Sequence, residues 1–135
     1  MFSMKKLLLL LVSVSLLSCS SDDSNDAQQN TRYLNPPSWI QGTWKNEISG
    51  FAFKEHDFCT VVSNNETCID QSLQASANSG ASVSSSEPIK SDSEYKFSYT
   101  IAGSASAFHF RKVTDTKIEF VNPNTSLPNP TFNKQ

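Results

Sequence analysis

Two histidines, three cysteines and a scatter of acids are the residues of this chain most able to do chemistry. His56 lies in Lys54-Glu55-His56-Asp57, a run of polar residues that reads as a solvated turn. Glu55, His56 and Asp57 are adjacent, and adjacent side chains point apart, so they do not converge on one ion. His109 sits between Phe108 and Phe110. On a strand it faces opposite to both rings, either onto the polar side of a sheet or into a pocket. There is no Gly-rich phosphate loop, no HExxH and no GxSxG. Ser82, Ser84, Ser85 and Ser86 have no visible base. Glycoside hydrolysis needs two carboxylates held about 5–9 Å apart across a cleft, and nothing selects such a pair. The expectation is a chain that is not an enzyme and needs no cofactor or metal.

The third cysteine has a different setting. The chain opens with Lys5 and Lys6, and Leu7 to Leu17 is then apolar apart from Ser13 and Ser15. A run of about eleven residues is too short to cross a bilayer as a helix, which takes about 20. It has no polar face, so it does not suit a helix of a folded domain. It has the form of a secretory signal peptide. Leu16-Leu17-Ser18-Cys19 ends it and resembles the bacterial lipobox. The resemblance implies cleavage before Cys19 and lipid on its thiol, with residues 1–18 removed. Each buried CH₂ of such an anchor adds about 0.8 kcal/mol, so several chains hold stably where one does not. Ser20 to Asp26 is polar and acidic, too poor in apolar residues to fold, and residues 19–35 read as a flexible tether. A short acidic run after the lipidated cysteine is similar to surface-export signals of Bacteroidetes lipoproteins. That implies an outer-membrane location, anchored by lipid and facing the cell surface, with a periplasm-facing anchor as the alternative.

Residues 36–135 are left for one domain of roughly 100 residues, enough for a single core. After removal of the leader the chain carries nine Lys and Arg against 13 Asp and Glu, a formal charge of −4. Nucleic acid calls for a basic face, so it is not an expected partner. With Cys19 acylated, Cys59 and Cys68 remain, and in an oxidising compartment two cysteines are most simply a disulfide. Closing a loop of about ten residues contributes roughly 2.5–3 kcal/mol in the chain-entropy account.

The elements that must position these residues are written in period two. Ile40, Gly42 and Trp44 share one face, as do Phe51 and Phe53. Tyr95, Phe97, Tyr99 and Ile101 form a third set, Phe108 and Phe110 a fourth, Ile118 and Phe120 a fifth. Short polar breaks separate them, which predicts an antiparallel meander of six to eight strands. Pro88 marks a break between an edge strand and a core strand, and Thr131-Phe132-Asn133 supplies a last strand. Ile69, Leu73 and Ala77 recur at i, i+4, i+8 and predict one short helix near 68–79, with Thr67 capping its start and Gly80 its end.

Gly42-Thr43-Trp44, followed by a run of short strands, resembles the Gly-x-Trp element that closes one end of a lipocalin-like β-barrel. The order from lipobox through "GTWKNE", "FAFKEHDFC" and "EYKFSYT" to "KIEF" is similar to small lipocalin-like lipoproteins of the Bacteroidetes. The resemblance implies an all-β domain with one short helix, an antiparallel meander curled into a small or partial barrel. The aromatic residues either fill its core or line a ligand pocket. Trp39 is out of phase with Ile40 and Trp44, and either covers one end of the barrel or stands exposed as an anchor. Trp39, Trp44, Tyr99, Phe110 and His109 are therefore the candidate ligand contacts. The expected function is a non-catalytic, membrane-anchored binding module for a small apolar or glycan ligand or a protein partner. An interaction or inhibitor protein without a cavity is the alternative, and a small hydrolase the third and least favoured.

Overall fold

The computed structural model describes residues 31–135. The expected signal peptide, the expected lipid site at Cys19 and the acidic run lie outside the described residues. From residue 31 onward the chain is an antiparallel β fold. Its strands are β1 (Gly42–Lys45), β2 (Gly50–Phe53), β3 (Phe58–Val62), β4 (Asn65–Cys68), β5 (Val83–Lys90), β6 (Glu94–Ile101), β7 (Ser104–Thr114), β8 (Lys117–Phe120) and β9 (Thr131–Lys134), with a helix α1 (Asp70–Asn78) between β4 and β5. They form one sheet in the order β4-β3-β2-β1-β9-β8-β7-β6-β5. Two meanders, β1 to β4 and β5 to β9, are thus sewn together by the pairing of β1 with β9. The sheet curls into a half-barrel, consistent with a lipocalin-like partial barrel. The free edges are β4 and β5, and α1 is the connection between them.

The period-two pattern sets the inner face. Ile40, Trp44, Phe53, Phe58, Tyr95, Phe97, Phe110, Ile118 and Phe132 are all buried in one cluster. Phe51, Tyr99, Phe108 and Phe120 are partly buried against it. Rings from β2, β3, β6, β7, β8 and β9 meet at centroid separations of 4.8–6.5 Å, in the stacked and edge-on geometries that aromatic quadrupoles favour. Trp44 Nε1–H donates to the Ile40 carbonyl at 2.7 Å, so its one polar atom is satisfied in the core. Gly50 opens β2 because a Cβ there would lie 2.5 Å from the Trp44 carbonyl oxygen.

The opposite face of β2 and β3 carries a second, small cluster of Ala52, Cys59 and Val61 with Cys68 against it. Cys59 and Cys68 are directly paired across β3 and β4 and form the expected disulfide, with Cα atoms 3.9 Å apart. Strand β4 itself was not foreseen. Asn65, Glu66 and Thr67 are exposed, so no apolar alternation betrays them. Strand β5 runs through Pro88, with a register shift between Ser86 and Ile89, where a chain break was expected. A proline is tolerated there because the strand is at an edge.

The helix forms where the i, i+4, i+8 pattern lies, and Leu73 is its buried residue. Its start is not capped by Thr67. Asp57 Oδ1, from the turn before β3, accepts from the backbone N–H of both Phe58 (2.7 Å) and Asp70 (3.0 Å). Its end is the expected one. Gly80, at φ +91°, donates to the Ala77 carbonyl, and Ala81 donates to that of Ser76, the paired bonds of a Schellman motif.

The segment just before β1 belongs to the fold, although residues up to 35 read as tether. Leu34 is 1% exposed and lies in the aromatic cluster. The Tyr33 carbonyl accepts from Ser85 Oγ at 2.6 Å, and Asn35 N–H donates to Glu87 Oε1 at 2.8 Å. Asn35 Oδ1 also meets His56 Nδ1 at 2.8 Å. Residues 33–35 thus strap edge strand β5 to the turn between β2 and β3.

Glu87 is the fastening of that strap, because its Oε1 also accepts the Tyr95 hydroxyl at 2.8 Å. Burial first, and the Glu87 carboxylate second, push the Tyr95 phenol far above the ordinary tyrosine range. Glu87→Ala leaves a buried hydroxyl and a backbone donor unpaired. It is expected to cost about 2–3 kcal/mol, read as a lowered midpoint in urea. Stability is also expected to fall above about pH 10, where the unfolded chain's phenol ionises and the folded one stays protonated. A pH titration of thermal unfolding checks the second point.

Candidate functional site

The site grows out of a mismatch in strand length. Strand β7 spans Ser104–Thr114, while its neighbour β8 spans only Lys117–Phe120. The ladder between them runs to Phe110 opposite Phe120, and Val121 N–H adds a last bond to the His109 carbonyl at 2.8 Å. Two residues later comes Pro123, which has no N–H to give. The chain then closes on itself through Asn122, Asn124 and Asn129 before returning as β9. From Ser104 to Phe108, β7 is paired with β6 alone.

A cleft of about 220 Å³ opens at that point. Phe108, Phe120, Val121 and Pro123 form its apolar wall with the Ala107 methyl beside them, while Lys96 and His109 bring the polar rim. The two kinds of wall come from the two faces of the sheet, which meet here because the strand that would separate them is missing. His109 is held in place by Glu94, whose Oε1 accepts from Nε2. Arg111 continues the row, 3.6 Å from Glu94 and 3.3 Å from Glu119. Lys96 has no carboxylate partner among the described residues.

Of the expected ligand contacts, the structure brings His109 to this cleft, and it brings Tyr99 near, stacked on Phe108 at 6.3 Å. Trp44 and Phe110 are corrected to core residues. Both are 0% exposed within the main buried cluster, and neither presents surface to a ligand. Trp39 is half-buried against the aromatic cluster, with Nε1–H donating to the Ser91 carbonyl at 2.7 Å. It pins the approach to β1 onto the turn between β5 and β6, away from the cleft. Lys96, Val121 and Pro123 are not expected at a site from the sequence, whereas Phe108 and Phe120 are among the aromatics expected to fill the core or line a pocket. The signal available was Pro123 close behind the Ile118 and Phe120 alternation, which marks where β8 must stop.

The histidines do not assemble with nucleophiles. Neither contacts a serine, threonine or cysteine side chain among the described residues. Asp57, Cys59 and Cys68 bring potential metal-binding atoms within 4.8 Å of one another, but the two sulfurs are bonded to each other and Asp57 Oδ1 caps α1. A second cleft, of about 160 Å³, lies between the β1–β2 and β3–β4 turns. It is polar, and Lys45 Nζ in its wall is taken up by Asn64 Oδ1 at 2.8 Å.

No protein-family model, curated protein or solved structure matches this chain.

Proposed function

We propose that this chain is a lipid-anchored, non-catalytic binding module of a bacterial envelope, held at the outer membrane through Cys19, and that it recognises its partner at the surface and not in a central cavity. The observation that carries this reading is the filled centre of the half-barrel. Rings of Phe53, Phe58, Phe97 and Phe110 pack together there, with Phe58 and Phe110 meeting the others at 4.9–6.4 Å, where a lipocalin-type carrier keeps space for a ligand. The cleft beside β7 is the place where apolar surface and polar rim converge instead, as binding sites require. The leader and lipobox-like residues support the anchor. A tethered domain searches the volume near its membrane without leaving it, which suits contact with a macromolecular partner.

Two measurements test the reading. Mass spectrometry of the mature protein is expected to find an amino terminus at Cys19 carrying acyl groups; a free thiol there, or cleavage elsewhere, refutes the anchor. Titration of a leaderless Cys19→Ser chain, which carries no acyl group, with N-phenyl-1-naphthylamine, a dye that brightens in apolar surroundings, is expected to give no saturable fluorescence rise. Stoichiometric uptake of the dye would overturn recognition at the surface.

A further inference from the structure

The edges of this sheet are not equally protected. Strand β5 is a free edge carrying Pro88, a register shift at Ser86/Ile89 and the charge of Lys90. Strand β4, the other free edge, is four residues long and holds Glu66, which pairs with Lys54 at 3.1 Å. Proline, irregularity, brevity and charge are the devices by which proteins keep sheet edges from adding strands. The open half of β7 is as short as β4 but has no proline, no irregularity and no charge. It reads Ser104-Ala105-Ser106-Ala107, regular in register with β6, and Ser104, Ala105 and Ala107 are exposed.

Its backbone is aimed outward. The His109 carbonyl points toward β8, since it accepts from Val121. Alternation along the strand directs the N–H and C=O groups of Ala107 and Ala105 the same way, where no strand meets them among the described residues. The cleft lies at the head of this edge, where a longer β8 would run.

We infer that the open edge of β7 at Ala105 and Ala107 accepts an extended peptide of a partner protein as an added strand, with an apolar side chain seated against Phe108 and Phe120 and an acidic side chain meeting Lys96. The inference rests on the surface-recognition reading above. Main-chain hydrogen bonds to Ala105 and Ala107 supply affinity, and the pockets reached by alternate side chains supply selectivity. The sign of the charge follows from Lys96, the rim cation left without a carboxylate among the described residues. The alternation follows from the sheet: a residue opposite Ala107 faces Lys96 and His109, and its neighbours face the rings. A second copy of β7 fits less well, because its open stretch Ser104–Ala107 brings neither a large apolar side chain for the rings nor a carboxylate for Lys96.

The test uses the full chain and a fluorescein-labelled, end-blocked heptapeptide, Thr-Val-Glu-Phe-Glu-Val-Thr, against a counterpart with Lys in place of both Glu. Fluorescence anisotropy at low salt is expected to show the acidic peptide binding at least tenfold more tightly. Ala107→Pro removes an edge-facing N–H while sparing the β6 ladder, and is expected to weaken binding at least tenfold. Lys96→Glu, on a solvent-facing position, is expected to invert the preference between the two peptides, and it decides the matter if the proline variant does not fold. Binding of neither peptide, or binding that both substitutions leave unchanged, overturns the inference. So does sedimentation of the unmodified chain as a dimer that Ala107→Pro dissociates, since a second copy then occupies the edge. Failure of the peptides without dye uptake overturns this inference alone, whereas dye uptake removes the reading beneath it.

Discussion

Phe110→Ala lowers the stability of the domain by about 3–5 kcal/mol, the range for deleting a fully buried ring. For a domain of this size that is a fall of roughly 15–30 °C in melting temperature. Phe110 has no exposed surface, and its ring meets those of Phe51, Phe53, Phe58, Phe97, Phe108 and Phe120. Those rings come from β2, β3, β6, β7 and β8, so the void is shared among strands that are distant in sequence. No single neighbour can rotate to fill it without losing its own stacking. Phe110→Leu keeps much of the volume and is expected to cost well under half as much. Thermal unfolding followed by near-ultraviolet circular dichroism checks both. A loss below about 1 kcal/mol for the alanine variant would return Phe110 to the list of ligand contacts.

The second large effect is expected from the paired cysteines. Replacing Cys59 and Cys68 together by alanine removes a cross-link over nine positions, worth about 2.5–3 kcal/mol in the chain-entropy account. The consequence is also local. Strand β4 is an exposed edge of four residues, and its last residue leads directly into α1 through Ile69. Without the bond the helix keeps the Asp57 cap and the Leu73 anchor but loses its covalent tie to β3. Hydrogen exchange is expected to quicken over 65–72 well before it quickens in β6 or β7. A uniform change across all strands would mean that the disulfide acts on the unfolded chain alone.

The sequence reveals most where a residue's environment is decided by its neighbours in the chain. Tyr95 and Phe97, Phe108 and Phe110, and Ile118 and Phe120 alternate with polar residues because each strand has one buried face, and that regularity is local. Leu73 and Gly80 are legible for the same reason. Leu34 is not, since its burial depends on β5 and the β2–β3 turn arriving from elsewhere. Nor is β4, which is held by its partner β3 and not by its own apolar face. The Asp57 cap is hidden likewise: the carboxylate and the N–H it serves are 13 positions apart. The cleft is the least legible of all. It is made by an absence, the strand that β8 does not continue, and only the register of β7 against both neighbours exposes it.

The order of strands in the sheet differs from the order in which they leave the ribosome or a translocation pore. Strand β9 is the last of the nine in sequence, yet it stands fifth across the sheet, between β1 and β8. Until Thr131–Lys134 has emerged, no strand pairing joins the two meanders, which meet only through their rings, the strap at 33–35 and the Trp39–Ser91 bond. Each has an open flank where β9 belongs. The continuous sheet therefore waits for β9, which closes a pairing between Trp44 and Lys134 that spans most of the domain. Such long-range closure is slow relative to local pairing. A chain of this design can pass a narrow channel as separate meanders, and its sheet becomes continuous only when β9 arrives.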